Sequence, residues 1–250
     1  MNATIRDAVR WLAGVKRLAV LTGAGVSKES GIPTFREAQD GLWAQYDPME
    51  MASKDGFLRN PELVWSWYEH RFGMVLSAQP NAGHRAIADL EQLFPSVTVV
   101  TQNIDGLHMA AGSTHVLELH GSIRRYKCLS GRHTDYSLAD FADQDEKPPR
   151  CPECGEIIRP DVVWFGEYLP ESTLQQAYEA SLRCEAMLVV GTSGVVQPEA
   201  SLPRLATRAG AMVIDVNPEE DEIAMTADLF LKGRGGKVLP QLVAALRAQR

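Results

Sequence analysis

Short, almost unbroken apolar runs alternate with amphipathic stretches along most of this chain. "RLAVLT" (Arg17 to Thr22), "VTVVTQ" (Val97 to Gln102), "AMLVVGT" (Ala186 to Thr192) and "AMVIDVN" (Ala211 to Asn217) read as buried strands. Apolar runs without polar alternation are what a parallel sheet covered on both faces requires. Helical periodicity is predicted from about Asn2 to Gly14, Ala82 to Phe94, Glu171 to Cys184, Pro198 to Ala209 and Gly236 to Arg247. Strands interleaved with helices predict an α/β fold: a Rossmann-like, doubly wound parallel sheet.

Two stretches interrupt the alternation. The segment from about Glu37 to Pro80 carries helical patterns and no convincing strand, and that from about Ile123 to Ile158 is polar, with proline and cysteine. We expect a large domain from 1–36, 81–122 and 159–250, and a small one from 37–80 and 123–158, the latter combining a helical and a zinc-ribbon-like module. In the first insertion, "NPELVWSWYEHRFGMVLSA" (Asn60 to Ala78) places Val64, Tyr68, Phe72 and Val75 on one stripe, flanked by Trp65, Trp67, Met74 and Leu76. Arg71 falls in the middle of that apolar arc. Its bland explanation is a stem packed on a ring with the guanidinium reaching water.

Composition narrows the function. The 250 residues hold 25 Lys and Arg against 32 Asp and Glu, a net charge of −7 that argues against nucleic acid as a partner. No apolar run approaches the ~20 residues that span a bilayer, so no membrane partner is expected. The N-terminal "MNATIRDAVRWLAGVKR" lacks the apolar block of a signal peptide. Four cysteines, two of them in "CPEC", suggest metal or redox chemistry in a reducing compartment, and the cytoplasm is the expected location.

Chemistry concentrates after the strands. "TGAGVSKESGIPTFRE" follows the first, with glycines that let backbone approach a pyrophosphate. The glycine after Gly25 is Gly31, which misses the dehydrogenase spacing and argues against hydride transfer. "TQNIDGLH" and "LELHG" bring Gln102, Asn103, Asp105 and His120 to strand ends, where α/β proteins build their sites. His120 there is either a satisfied structural histidine or a general base.

Taken together, "GAGVSKESGIPTFR", "TQNIDGLH", "HG", "CPECG", "RPDVVWFGE", "GTSGVVQP" and "IDVNP" resemble the sirtuins, NAD-dependent protein lysine deacylases, from about Ala19 to near the C-terminus. The resemblance implies a crevice between the domains that holds NAD as co-substrate and an acyl-lysine protein or peptide. It places Gly23, Ala24, Gly25, Phe35 and Arg36 along the pyrophosphate and ribose. Gln102, Asn103 and Asp105 fall at the nicotinamide side, and Gly191, Thr192, Ser193 and Asn217 at the adenosine half. His120 becomes the general base. Val163, Trp164, Phe165, Gly166, Glu167 and Val195 become two edges that grip an extended peptide. The implied products are free lysine, nicotinamide and O-acyl-ADP-ribose. Two competing activities use the same NAD pocket: mono-ADP-ribosyl transfer, and non-enzymatic NAD sensing.

A sirtuin zinc site has two Cys-x-x-Cys pairs. Here Cys151 and Cys154 form the second, but Cys128 meets Gly131 in place of its partner. Either zinc is held by these three cysteines plus a substitute, with His133 available, or the site has decayed and hydrogen bonds hold the lobe. Cys184 reads as a small buried hydrophobe. Tyr68 and Arg71 match the Tyr-x-x-Arg pair of class III sirtuins, which remove succinyl and malonyl groups as well as acetyl. Ala52 matches the small residue that widens their acyl pocket.

Overall fold

The structure is a computed structural model and describes residues 4–34 and 47–249. In chain order it forms α1 (Ile5–Leu12), β1 (Arg17–Thr22), α2 (Pro48–Met51), α3 (Lys54–Arg59), α4 (Pro61–Ser77), α5 (Ala82–Leu90), β2 (Ser96–Thr101), α6 (Leu107–Ala110) and β3 (Val116–Glu118). It continues with β4 (Gly121–Cys128), β5 (Ile158–Val162), α7 (Glu171–Arg183), β6 (Ala186–Val190), α8 (Leu202–Arg208), β7 (Met212–Asn217), β8 (Leu229–Lys232) and α9 (Gly235–Arg247). A six-stranded sheet runs β3-β2-β1-β6-β7-β8 with every pairing parallel.

The apolar runs explain the layers. Along β1, Leu18 and Val20 pack into one core with Ala8, Leu12, Ile87, Leu90, Leu239 and Leu242, while Ala19 and Leu21 face a second core with Ala177, Leu202 and Ala206. Helices α1, α5 and α9 therefore cover one face and α7 and α8 the other. Every residue of β6 is buried, as a central strand between two helical layers must be. The chain leaves the sheet in opposite directions from β1 and β6, which are neighbours, with Thr22 beside Val190. That reversal opens a crevice at the carboxyl ends of the strands.

The predicted strands match within a residue or two. The edge strand β8 is an addition, too short at four residues to stand out as an apolar run. A second addition lies in the segment expected to have little periodicity. Its ends are β4 and β5, paired antiparallel with a register shift between Ser122 and Tyr126. Charged residues interrupt both strands, with Lys127 Nζ 2.9 Å and Arg125 Nε 3.4 Å from Asp161 across the pair, so no continuous apolar run marks them.

Helix α4 carries the expected buried set Val64, Trp65, Trp67, Tyr68 and Val75. Leu76, expected to flank the apolar arc, is 54% exposed, while its neighbour Val75 on the central stripe stays buried. Asp215 is fully buried on β7 with neither carboxylate oxygen hydrogen-bonded, among the described residues. Burial first, and the Asp221 charge second, push it up to about 7. Its folded value lies above its unfolded one, so its contribution to stability is complete in acid and is lost as pH rises through about 7.

Candidate active site

Two glycine-bearing turns interlock at the crevice. Gly25 N–H donates to the Gly191 carbonyl at 2.8 Å, and Gly23 N–H to the Val190 carbonyl at 3.2 Å. A Cβ on Gly25 would stand 2.6 Å from the Gly191 oxygen, and one on Gly191, whose φ is +61°, 2.6 Å from Val26 N. Backbone thus meets backbone where a side chain would separate the turns. Ala24 lies between them, half-buried, and Ser193 is exposed at the rim. Asn217, ending β7, donates from Nδ2 to the Thr192 carbonyl at 2.9 Å and to Asp221 at 2.8 Å.

The loop after β2 closes the opposite wall. Gln102 donates from Nε2 to Thr192 Oγ1 at 3.2 Å, and Asn103 donates from Nδ2 to the Gly23 carbonyl and to Ser27 Oγ, each at 3.1 Å. Ser27 Oγ–H in turn donates to Asp105 at 2.7 Å, and the other Asp105 oxygen accepts from Leu107 N–H at 2.9 Å. Ser27 and His84, 3.4 Å apart and both buried, were not singled out by the sequence. Ser27 sits inside the first glycine motif, which is the signal that could have found it; His84 has none. His108 donates toward Thr22 Oγ1 at 2.9 Å, and burial, reinforced by the His84 charge, drives it down to about 3, so it is a neutral spacer in this wall. Phe35 and Arg36 lie outside the described residues.

His120 joins β3 to β4 and enters the crevice from the strand ends. Its Nδ1 lies 2.9 Å from the Gln102 carbonyl oxygen, an acceptor only, so Nδ1 carries a proton. Its Nε2 lies 2.5 Å from Glu199 Oε1. Glu199 was missed from the sequence, where it is a single acid in the first turn of the helix predicted from Pro198.

Beside His120, Val163 N–H donates to the His120 carbonyl at 2.9 Å and Phe165 N–H to the Ala52 carbonyl at 2.8 Å. Trp164 N–H donates to Glu167 at 2.9 Å. These donors are already engaged inside the protein, so an incoming strand would meet this edge through its carbonyls and Gly166. Phe165 and Val195 are 46% and 51% exposed, while the Trp164 ring is buried. Arg159, itself buried, stacks 3.2 Å from the centre of that ring and bonds Glu167 at 2.5 Å and the Val162 carbonyl at 2.6 Å. The Trp164 side chain belongs to the floor of the site.

From that floor Trp164 Nε1–H donates to Tyr68 OH at 2.8 Å. The hydroxyl thereby accepts, and its own proton is free to be donated. Burial pushes Tyr68 up to about 12, so that proton is retained. Ala52 and Tyr68 share one apolar cluster with Phe57 and Trp164. One turn along, the Arg71 guanidinium lies 5.0 Å from the Trp67 ring. Its Nη1 is buried with no hydrogen-bond partner among the described residues, although the residue as a whole is half-buried. Burial lowers its pKa, opposed by Tyr68. Such a cation is poorly satisfied.

In the small lobe, Cys128, Cys151 and Cys154 converge with His133, their donor atoms all within 4.8 Å of one another. Gly131 keeps the tight turn after Cys128, and His133 replaces the absent thiolate. His133 Nδ1 lies 3.4 Å from Cys151 Sγ, while Nε2 is 3.2 Å from Glu153, which fixes the ring as a carboxylate does behind a metal-bound histidine. Burial alone would raise the Cys151 thiol, but hydrogen bonds from the Tyr136 hydroxyl and the backbone of Glu153 and Cys154 bring it down to about 6. Three soft sulfurs and an imidazole fit structural zinc, which would cross-link the ends of β4 and β5. We expect purified protein to hold close to one zinc, and chelation to lower its Tm with loss of this lobe. A zinc content near zero in a stable protein would retire the assignment. Cys184 lies apart, buried and pushed up to about 11 by that burial, as a small hydrophobe should be.

Fold and crevice together define an α/β protein built to hold a dinucleotide at the sheet's switch point. Residues 23–198 match the Sir2 family. The chain is 49% identical over 245 residues to NAD-dependent protein deacylase 1 of Pseudomonas aeruginosa, covering 96% of this chain and 98% of that protein. It is 52% identical over 217 residues to NAD-dependent protein deacylase 1 of Caldanaerobacter subterraneus subsp. tengcongensis, covering 85% and 87%. A crystal structure of a Sir2 homolog–NAD complex superposes with a TM-score of 0.92 at 42% identity, over 99% of this chain and 96% of that one. A Sir2–p53 peptide–NAD+ structure does so with a TM-score of 0.86 at 33% identity, over 97% and 98%. The chain belongs to the Sir2 family. Among the described residues no helix is long and apolar enough to cross a membrane.

Proposed function

We propose that this NAD-dependent protein deacylase uses His120 as its general base and takes acidic acyl groups, succinyl and malonyl, as well as acetyl. The activity itself is that of its family: the relatives are NAD-dependent protein deacylases, and a homologue has been captured with 2'-O-acetyl ADP ribose.

The acyl preference is carried by one observation, the buried and unpartnered Nη1 of Arg71. A guanidinium without a counter-ion is completed by a carboxylate at the end of the acyl chain, in two parallel hydrogen bonds. Tyr68 adds its free hydroxyl proton, and Ala52 leaves room for the longer chain. NAD is placed with its phosphates along Gly23, Ala24 and Gly25, its nicotinamide side at Gln102, Asn103 and Asp105, and its adenosine half at Gly191, Thr192, Ser193 and Asn217. The peptide lies between the 163–167 edge and Val195, its backbone rather than its sequence being read. With Nδ1 protonated toward Gln102, Nε2 of His120 is the nitrogen that takes a ribose hydroxyl proton. Zinc, held by Cys128, His133, Cys151 and Cys154, braces the small lobe. The large domain comprises 1–36, 81–122 and 159–250, the small one 37–80 and 123–158, and cytoplasmic acyl-lysine proteins are the substrates.

Mass spectrometry of a reaction containing NAD and acetyl- or succinyl-lysine peptide tests the reading. We expect nicotinamide, free lysine peptide and O-acyl-ADP-ribose in equal amounts from both peptides. ADP-ribose attached to protein with no O-acyl-ADP-ribose would establish mono-ADP-ribosyl transfer instead.

A further inference from the structure

We propose that Glu199 is a positioning residue for His120: its carboxylate occupies the base nitrogen, shares a proton with it, and has to move away before NAD can react. The inference rests on the reading of His120 as general base.

The proton count follows from geometry. Nδ1 is committed to the Gln102 carbonyl at 2.9 Å, which leaves Nε2 as the only nitrogen able to accept a ribose proton. That nitrogen stands 2.5 Å from Glu199 Oε1. A bare imidazole lone pair and a carboxylate oxygen repel at such a distance, so a proton lies between them. A base that already holds its proton cannot take another. His120 can work as a base only once the pair has separated.

Glu199 is built to leave. Its side chain is fully buried, yet Oε2 has no hydrogen-bond partner among the described residues. A carboxylate satisfied on one oxygen only is held weakly for its burial, which lowers the cost of displacing it. It is also the single ionisable residue between Gly191 and Pro203. That segment carries Thr192 and Ser193 at the dinucleotide end and half-exposed Val195 and Val196 at the peptide edge. Ligands that order this loop act directly on the residue gripping the base.

The other charges bracketing His120 are engaged elsewhere. Glu118 on β3 bonds Arg125 at 2.9 Å, and Asp161 on β5 bonds Arg125 and Lys127. Asp105 accepts from Ser27, Arg124 Nε donates to the Asp105 carbonyl, and Glu167 pairs with Arg159. Arg204 and Arg208 of α8 line a surface groove with Val213 and Thr226, and Asp215 on β7 lies near Asp221. His84 and His108 face Ser27 and Thr22. In the step proposed, the Nε2–H···Oε1 contact breaks, the Nε2 proton passes to solvent, and Glu199 swings out as a carboxylate. Neutral His120 then presents its lone pair to the ribose hydroxyl, and one proton is released for each NAD bound.

Two measurements decide it. In the pH profile of kcat/KM for NAD, Glu199→Gln and Glu199→Ala are expected to move the acidic limb to lower pH, because the carboxylate that engages Nε2 is gone. Loss of a merely structural contact would lower the whole profile and leave the limb in place, which would overturn the proposal. In wild-type protein, calorimetry with the unreactive analogue carba-NAD at pH 6, in buffers of different ionisation enthalpy, is expected to show proton release. Absence of release overturns the proposal even if the variants fail to fold. His120→Tyr runs alongside: turnover in that protein would refute the base assignment itself, whereas a dead His120→Tyr with an unmoved limb refutes the role of Glu199 alone.

Discussion

His120→Tyr is expected to abolish turnover of acetyl- and succinyl-lysine peptides alike while leaving the fold intact. Removing a general base typically costs about 10²–10⁴-fold, and tyrosine, which keeps its proton to about pH 10, cannot replace one near neutrality. The fold survives because His120 stands at the crevice rather than in either core: its side chain is 23% exposed and gives up two hydrogen bonds, to Gln102 and Glu199. Circular dichroism and Tm check the fold, and O-acyl-ADP-ribose formation checks the chemistry. Wild-type turnover would remove His120 from its role.

Arg71→Met is expected to separate the two substrates. Succinyl-lysine loses its ionic partner, a loss of about 3–5 kcal/mol, or roughly two to four orders of magnitude in kcat/KM. Acetyl-lysine makes no such pair and should fall little. Methionine fills much of the arginine stem's volume against Trp67 and removes a buried Nη1 that has no hydrogen-bond partner among the described residues, so the variant should melt no lower than wild type. Competing acetyl- and succinyl-peptides in one reaction give the ratio directly. Equal losses on both would refute the role of Arg71 in acyl choice.

Much of this was legible in the chain. The sheet's central strands read as short apolar runs because most of their residues are buried under helices on both faces. The β4–β5 pair escaped because its buried Ile123, Tyr126, Cys128, Ile158 and Val162 are interrupted by Arg124, Arg125, Lys127, Arg159 and Asp161, and charges in sequence read as loop. In the site, the glycine turns and Gln102, Asn103 and Asp105 announce themselves by following strands. Ser27 and Asp105 are 78 positions apart, His120 and Glu199 are 79 apart, and pairs that only topology brings together leave no local pattern. Arg71 was visible as a polar residue in an apolar arc. The structure adds the face of Trp67 to its surroundings.

The arginine beneath Trp164 bears on how such an enzyme could change its diet. Arg159 clamps the turn that carries the peptide edge, and its guanidinium plane carries the indole whose N–H orients Tyr68. On the proposed reading, peptide grip and acyl choice share that foundation, while Tyr68 and Arg71 are carried by the neighbouring helix α4. Exchanging those two side chains should then change which acyl groups are taken while the platform beneath them stays where it is.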